Sequence, residues 1–284
     1  MSLPLTRPVP KLPLPSEWAD GPTYAAVERI IEGLTNAWSV SAGVARVLAR
    51  LVVEEQRTRI LEFGAGMSSR MLAAALEEIG GGRLTSVEEN PAWCEEVWAL
   101  VEQSPNVDAV LVPASVHLKV DGRGVYYGYA QVAEIEQRGL YDLVFVDAPW
   151  GGYGRDGALH AAIESVGLGG LIVLDDAQRV GEQRVLRRWM LNYPNLSLLA
   201  NDSSVGRGLA ILRKERRPMH EPPLARSWVE VWGSGIYETV RMAWAIRRHR
   251  SKEWNLNHAR NPRMRLHSRN RVSGKAGAIQ NSGC

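Results

Sequence analysis

Three aspartates are spaced so that they could form one acidic site. Asp147 ends the apolar segment that starts at Tyr141, and Asp175 and Asp176 end another apolar segment, 28 and 29 residues after Asp147. If these segments are neighbouring strands of a parallel sheet, their carboxyl ends line one crevice. Three carboxylates there suit a hard, oxygen-preferring cation such as Mg²⁺. In the alternative interpretation Asp147 borders a ligand site and Asp176 caps the following helix.

A second group of residues could bind an adenosine-type ligand. Gly64 and Gly66 lie between an apolar segment, 59–63, and a run of helix formers, 71–79. Glycine accepts positive φ in such a turn and lets a ligand approach the backbone, where the helix start also presents unpaired N–H groups. Glu88 ends the next predicted strand, 22 residues after Gly66. That is close to the ~20-residue spacing at which a carboxylate binds ribose hydroxyls.

The segments that must position these residues alternate between strand and helix from Arg59 onward. This alternation predicts an α/β fold, with a parallel sheet covered by helices on both faces. Helices are expected over 24–34 and 41–54, and the last two strands, 196–200 and 208–213, are close enough to form a hairpin. Between 116 and 140 we expect an irregular segment followed by a short helix.

Composition changes divide the chain into four parts. Residues 1–22 are rich in proline and are expected to be extended, with Trp18 as an anchor. Residues 23–214 form the expected ligand-binding domain. Residues 215–250 are an aromatic and basic helical appendage, and residues 251–284 are a basic tail expected to be disordered. The net charge of +3 is unevenly distributed along the chain, because the 213–284 segment alone is strongly basic.

Composition also excludes several classes of protein. Cys94 and Cys284 are the two cysteines, so no disulfide framework is indicated. No signal peptide and no apolar run of membrane-spanning length are visible, and we expect a cytoplasmic protein. The acidic 1–212 body argues against a nucleic-acid substrate, whose phosphates it would repel.

Five motifs in order resemble those of class I S-adenosylmethionine (SAM)-dependent methyltransferases. The first two are 62–68 (EFGAGMS) and 85–91 (TSVEENP); the other three are 113–115 (PAS), 141–147 (YDLVFVD) and 168–176 (LGGLIVLDD). The resemblance covers residues 39–214. It implies a doubly wound, mostly parallel seven-stranded sheet closed by a C-terminal antiparallel hairpin.

The resemblance also assigns residues to the SAM site. Those expected to bind the cofactor are Glu62, Gly64, Ala65, Gly66, Ser68, Glu88, Ser115 and Asp147. Ser68 stands where many members have a third glycine, and it is small enough to keep the turn open. The spacing of Asp147, Asp175 and Asp176 resembles the metal ligands of cation-dependent O-methyltransferases of the catechol and antibiotic-sugar types.

The proton acceptor does not carry over from those relatives. Trp150 stands where the catechol type has a lysine, and Pro149 stands where the antibiotic-sugar type has an acid. His160 is the nearest histidine and is the candidate base, although a solvated helix histidine is an open alternative. Asp147, as a metal ligand, is the other residue with an expected catalytic role. Arg155 could pair with an acidic or phosphorylated acceptor, but a surface arginine is the expectation. Aromatic residues in loops are expected to line the acceptor mouth, namely Tyr126, Tyr127, Tyr129, Trp150 and Tyr153.

The sequence therefore predicts a SAM-dependent methyltransferase, with O-methylation of a small-molecule hydroxyl on a sugar or phenol. An NAD(P)-dependent oxidoreductase shares the glycine turn and the ribose acid, but the chain lacks a Tyr-x-x-x-Lys pair and the third glycine. A non-catalytic, membrane-recruited role is a further alternative, because tail aromatics beside arginines could lie on an anionic membrane. A tail packed on the body is the competing interpretation.

Overall fold

The computed structural model describes residues 9–33, 40–130, 132–149 and 155–217, together with eight helical positions between 232 and 247. Predictions for residues 1–8, for Trp150 and for most of 215–284 lie outside the described residues. The helices are α1 Ser16–Ala19, α2 Ala25–Glu32, α3 Ala42–Val53, α4 Met67–Glu78, α5 Glu95–Val101, α6 Val132–Gln137, α7 Asp156–Ala162 and α8 Val180–Asn192. The strands are β1 Arg59–Phe63, β2 Gly82–Glu88, β3 Val107–Pro113, β4 Val116–Asp121, β5 Gly124–Tyr129, β6 Tyr141–Val146, β7 Val166–Asp175, β8 Leu196–Asp202 and β9 Leu209–Lys214.

Seven strands form one sheet in the order β3-β2-β1-β6-β7-β9-β8. The first five strands in that order are parallel, whereas β9 is antiparallel to both β7 and β8. The predicted seven-stranded sheet with its C-terminal hairpin is thus confirmed. Strand order reverses between β1 and β6, which is where ligands bind open α/β sheets, beyond the carboxyl ends of the strands.

Both faces of the sheet are covered, so the central strands are apolar on both sides. Ile60 and Phe145 pack into the hydrophobic cluster on one face. Leu61 and Val144, their neighbours in sequence, pack into the cluster on the other. This alternation is the period-2 geometry of a strand.

The segment after β3 contains a hairpin, so the prediction of an irregular segment there was wrong. Strands β4 and β5 form a separate antiparallel pair, in register from Val116↔Tyr129 to Asp121↔Gly124. Gly124 has φ +113°, and Asp121 Oδ1 accepts the backbone N–H of Arg123 at 2.8 Å. The glycines that suggested irregular structure therefore make the turn of the hairpin.

The N-terminal segment packs on the body and contributes to its core. Leu14 and Trp18 are buried, as expected of an anchor at Trp18. Arg50, itself 5% exposed, donates to the backbone carbonyl of Trp18 at 2.8 Å. Leu12 and Asn201 exchange two backbone hydrogen bonds, at 2.8 and 3.3 Å. The arm thus runs along β8, the last strand of the sheet.

The described positions of the C-terminal appendage are helical. The guanidinium of Arg184, on α8, lies 4.9 Å from the ring centroid of Tyr237. That contact is of the kind expected if the appendage packs on the body, while Val240 and Trp244 are exposed. In the part of the chain that the structure describes, no helix is long and apolar enough to cross a bilayer. Membrane recruitment stays a prediction.

A buried polar cluster fixes the start of α7 against the hairpin and α8. His160 Nδ1 lies 2.6 Å from the Tyr193 hydroxyl, and its ring packs edge-on against Tyr126 with centroids 4.4 Å apart. Asp156 accepts from Arg188 Nε at 2.7 Å. Burial lowers the pKa of His160 to about 4; the charges that also act on it belong to Asp156, Arg123, Arg188 and Asp121. His160 is therefore neutral at pH 7.

We expect the burial of His160 to make the fold sensitive to acid. Its pKa is about 4 when folded and about 6.5 when unfolded, so below pH 6.5 the unfolded chain binds more protons. As pH falls from 6.5 to 4, His160 should remove about 3 kcal/mol from the free energy of unfolding. Urea denaturation across this range should show wild type losing that much more stability than His160→Gln. His117→Gln, on the exposed face of the hairpin, is the control and should follow wild type. Parallel curves for wild type and His160→Gln would contradict the expectation.

Candidate cofactor and acceptor site

The glycine turn lies between β1 and α4, at the centre of the sheet. Gly64 has φ +102°, and a Cβ there would lie 2.9 Å from the Cβ of Ala148, so both conformation and space require glycine. Gly66 has φ 173°, which is extended, and the expectation that it needs a left-handed conformation was wrong. A Cβ on Gly66 would meet no atom within 4 Å. Its backbone therefore faces open space in which a ligand can lie.

Buried polar residues support this turn from inside the domain. Ser69 Oγ accepts the N–H of Gly66 at 3.0 Å and donates to Glu62 Oε2 at 2.5 Å. Ser86 Oγ donates to the same oxygen at 2.6 Å. Burial raises the pKa of Glu62 to about 7, against the effect of the serine hydrogen bonds. Ser68 is buried in the first turn of α4. Sequence analysis did not single out Ser69, whose position three residues after Gly66 was the available signal.

Glu88 lies beside the glycine turn, as its spacing predicted. Its carboxylate accepts the backbone N–H of Ala65 at 3.1 Å and that of Asn90 at 2.8 Å. The side chain is 7% exposed, and this burial raises its pKa. The backbone carbonyl of Glu88 accepts the N–H of Ala114 at 2.9 Å, so Ser115, which is exposed, follows directly at the end of β3.

The three predicted aspartates do converge at the carboxyl ends of β6 and β7. One carboxylate oxygen from each of Asp147, Asp175 and Asp176 lies within 4.8 Å of the others. Asp175 and Asp176 are buried, whereas the side chain of Asp147 is 25% exposed. Asp147 also lies beside the glycine turn, because its N–H donates to the carbonyl of Phe63 at 3.0 Å. Burial raises the pKa of Asp147 and of Asp175.

Arg155 lies among these acids, and the expectation of a surface arginine was wrong. Its side chain is 3% exposed. Nη2 donates to Asp147 Oδ1 at 2.6 Å and to Asp176 Oδ2 at 2.9 Å, and Nη1 donates to the backbone carbonyl of Asp175 at 2.5 Å. Burial alone would lower the pKa of Arg155, but the surrounding carboxylates outweigh it and raise that pKa. The guanidinium therefore stays charged.

Two further arginines saturate Asp176. Arg179 Nη1 lies 3.0 Å from Oδ2, and Arg207 Nε lies 2.6 Å from Oδ1. Helix α8 begins at Val180 with Arg179 as its N-cap, so Asp176 does not cap it and that alternative was wrong. The position of Arg179, three residues after Asp176, was a sequence signal for this pairing; Arg207 and Arg155 gave none.

The residues present do not fit a divalent cation in this arrangement. Both oxygens of Asp176 and Oδ1 of Asp147 are held by arginine N–H groups. Asp175 Oδ1 accepts the N–H of Asp176 at 2.8 Å. A cation at this point would need to displace a buried guanidinium that carries its own positive charge. The convergence of the acids is confirmed, and the occupant that fits them is Arg155.

The other predicted catalytic residue, His160, lies in a different group of contacts. Its ring contacts Tyr126, Tyr193 and Asp156, none of which belongs to the group around Arg155. Tyr126 and Tyr129 are buried on β5, at 2% and 1% exposure, and so they are not loop aromatics that line an acceptor mouth. Tyr153 lies outside the described residues. Beside Asp176 an open groove is lined by Gln178, Arg179, Ser203 and Arg207.

Part of the chain matches a known protein family. Residues 61–177 match a family model described as a methyltransferase domain. A search of curated proteins found no match to the chain.

Several solved structures are similar in fold. TomG, an O-methyltransferase from Streptomyces achromogenes involved in tomaymycin synthesis and solved with SAM, is 21% identical over 68% of this chain and 91% of its own, with a TM-score of 0.46. An O-methyltransferase from Bacillus cereus is 16% identical over 70% and 95%, with a TM-score of 0.47. A methyltransferase from Geobacter sulfurreducens is 16% identical over 67% and 87%, with a TM-score of 0.45.

The matched segment runs from β1 through the end of β7 and so contains the glycine turn, Glu88 and the aspartates. The match favours the methyltransferase prediction over the oxidoreductase alternative, which shares the glycine turn and the ribose acid. The seven-stranded sheet with its antiparallel hairpin agrees with that assignment. Residues 61–177 thus match a methyltransferase domain, and the fold around them is the one that the sequence resemblance predicted.

Proposed function

We propose that this methyltransferase transfers the methyl group of SAM to a hydroxyl oxygen of a small molecule, such as a sugar or a phenol. The observation that carries the proposal is the carboxylate of Asp147. It stands at the end of β6 beside the glycine turn, and it is the one of the three converging acids that is partly open to solvent. A carboxylate there can take the proton that a hydroxyl acceptor must lose.

The cofactor would be held by the ends of β1, β2 and β3. Gly64, Ala65 and Gly66 form the backbone turn, in which Gly66 faces open space. Glu62 and Ser69 hold this turn from beneath, and Ser68 is buried in the first turn of α4. Glu88 would bind the ribose hydroxyls, and Ser115 would lie along the adenine. Asp147 would border the methionine end. SAM supplies an electrophilic methyl group, and the chain's own contribution is to bind and orient.

Asp147 is oriented for proton transfer by its neighbours. Arg155 Nη2 holds Oδ1 at 2.6 Å and so leaves Oδ2 as the oxygen available to an acceptor hydroxyl. The groove beside Asp176, with its exposed Arg207, would receive the rest of the acceptor. Gln178, Arg179 and Arg207 give this groove side chains that can hydrogen-bond to a hydroxylated small molecule. Mg²⁺ has no part in this proposal, because Arg155 occupies the carboxylates that would hold it.

Cofactor binding should depend on Gly66 and Glu88. Valine at Gly66 would put its side chain into the space that the ligand needs, so Gly66→Val should abolish SAM binding. Glu88→Ala should remove one or two charge-assisted hydrogen bonds, each worth about 1.5–3 kcal/mol. Titration calorimetry with SAM measures both effects, and Glu89→Ala, which changes the adjacent acid, is the control. Wild-type affinity in Glu88→Ala would show that the ribose site lies elsewhere.

Turnover should need hydroxyl acceptors and Asp147. Release of S-adenosylhomocysteine is to be measured with a panel of sugars, phenols and amines. We expect turnover with hydroxyl compounds, reduced about 10²- to 10⁴-fold in Asp147→Asn because the proton acceptor is lost. SAM affinity should stay within a few-fold. Asp108→Asn, an exposed acid on β3, is the control and should keep full activity. Turnover confined to amines would contradict O-methylation, and full activity in Asp147→Asn would contradict its role.

A further inference from the structure

We infer that Arg155 takes the place of a divalent cation among Asp147, Asp175 and Asp176, so that this domain works without a bound metal ion. The inference goes beyond the proposed acceptor chemistry. It rests on which groups donate hydrogen bonds to the carboxylate oxygens of the three aspartates.

The guanidinium lies where an ion bridging the acids would lie. An ion needs oxygens from more than one carboxylate around one point, and Asp147 Oδ1 and Asp176 Oδ2 are such a pair. A single nitrogen, Arg155 Nη2, is hydrogen-bonded to both, at 2.6 and 2.9 Å. The adjacent Nη1 donates to the backbone carbonyl of Asp175. One planar cation thus connects the strand ends that a metal would otherwise connect.

The position is also closed to rearrangement. The side chains of Arg155 and Asp176 are each 3% exposed. Arg155 immediately precedes α7, and the next residue, Asp156, is tied to α8 through Arg188 and Trp189. Asp176 has φ +54°, and its carboxylate contacts three arginines. Withdrawal of Arg155 would therefore leave buried carboxylates without their partner.

Charge supports the same conclusion. Three arginines, Arg155, Arg179 and Arg207, contact the acid group, which carries at most three negative charges. The three positive charges of these arginines already balance the negative charges of the aspartates. A divalent ion added beside Arg155 would face its charge at short distance in a buried site, where screening is weak.

The test is Mn²⁺ binding to the full-length protein, measured by the loss of the free-ion signal in electron paramagnetic resonance. Wild type should show no saturable binding. Removing the guanidinium in Arg155→Ala should open the acid group and raise Mn²⁺ affinity by about 10- to 100-fold, the range by which groups around a metal site alter its affinity. Adding Asp176→Asn to Arg155→Ala should abolish that gain. Arg59→Ala is the matched control, because Arg59 pairs with Asp142 at the opposite end of the sheet and its loss should create no site.

Two results would overturn the inference. One is saturable Mn²⁺ binding by wild type that disappears in Asp176→Asn; the other is a folded Arg155→Ala that gains no affinity. If Arg155→Ala does not fold, Arg155→Gln keeps most of the side-chain volume and is used in its place. As an independent readout, Mg²⁺ should leave the melting temperature of wild type unchanged, whereas a binding ion would raise it by mass action. Because no acceptor is needed, failure here would leave the proposed O-methylation standing.

Discussion

The hydrogen bonds from Arg155 to Asp147 and Asp176 join the ends of β6 and β7 to the start of α7. Ionised carboxylates lose several kcal/mol of solvation when buried, and an unpaired one would destabilise the fold by about 3–5 kcal/mol. A buried guanidinium likewise loses several kcal/mol of solvation. Pairing the two groups offsets the solvation that each loses on burial. The crevice can therefore hold several carboxylates without destabilising the fold. The oxygen of Asp147 that the proposed chemistry would use is left open because Arg155 holds the other one.

The backbone of Asp176 shows how tightly this crevice is determined. A residue with a side chain rarely adopts φ +54°, although aspartate does so more readily than most. The conformation costs on the order of 1 kcal/mol and persists where surrounding contacts fix it. Here the contacts come from three arginines on three different segments of the chain. Strain of this kind collects at sites where function sets the position of a side chain.

The features that could be predicted from the sequence are those set by short-range patterns and by the order of strands and helices along the chain. The glycine turn and Glu88 follow from a strand–turn–helix pattern and a short spacing, and Asp147 meets Asp175 because parallel strand ends share an edge. Arg155 was misjudged because its burial depends on how α7 docks against the hairpin and α8, which is a tertiary effect. The burial of His160 was not predicted, for the same reason. The hairpin was missed because Gly124, which makes its turn, is ordinarily a sign of irregular structure.

The pairing of Leu12 with Asn201 has a consequence for how copies of this protein meet. β8 is the outermost strand of the sheet, and an outermost strand offers unpaired N–H and C=O groups to any passing chain. The arm occupies part of that row with its own backbone, and Asn201 Nδ2 also donates to the carbonyl of Pro10 at 2.9 Å. Proline has no N–H to offer outward. The arm thus covers the Asn201 end of this edge, where a strand from another copy of the protein cannot pair.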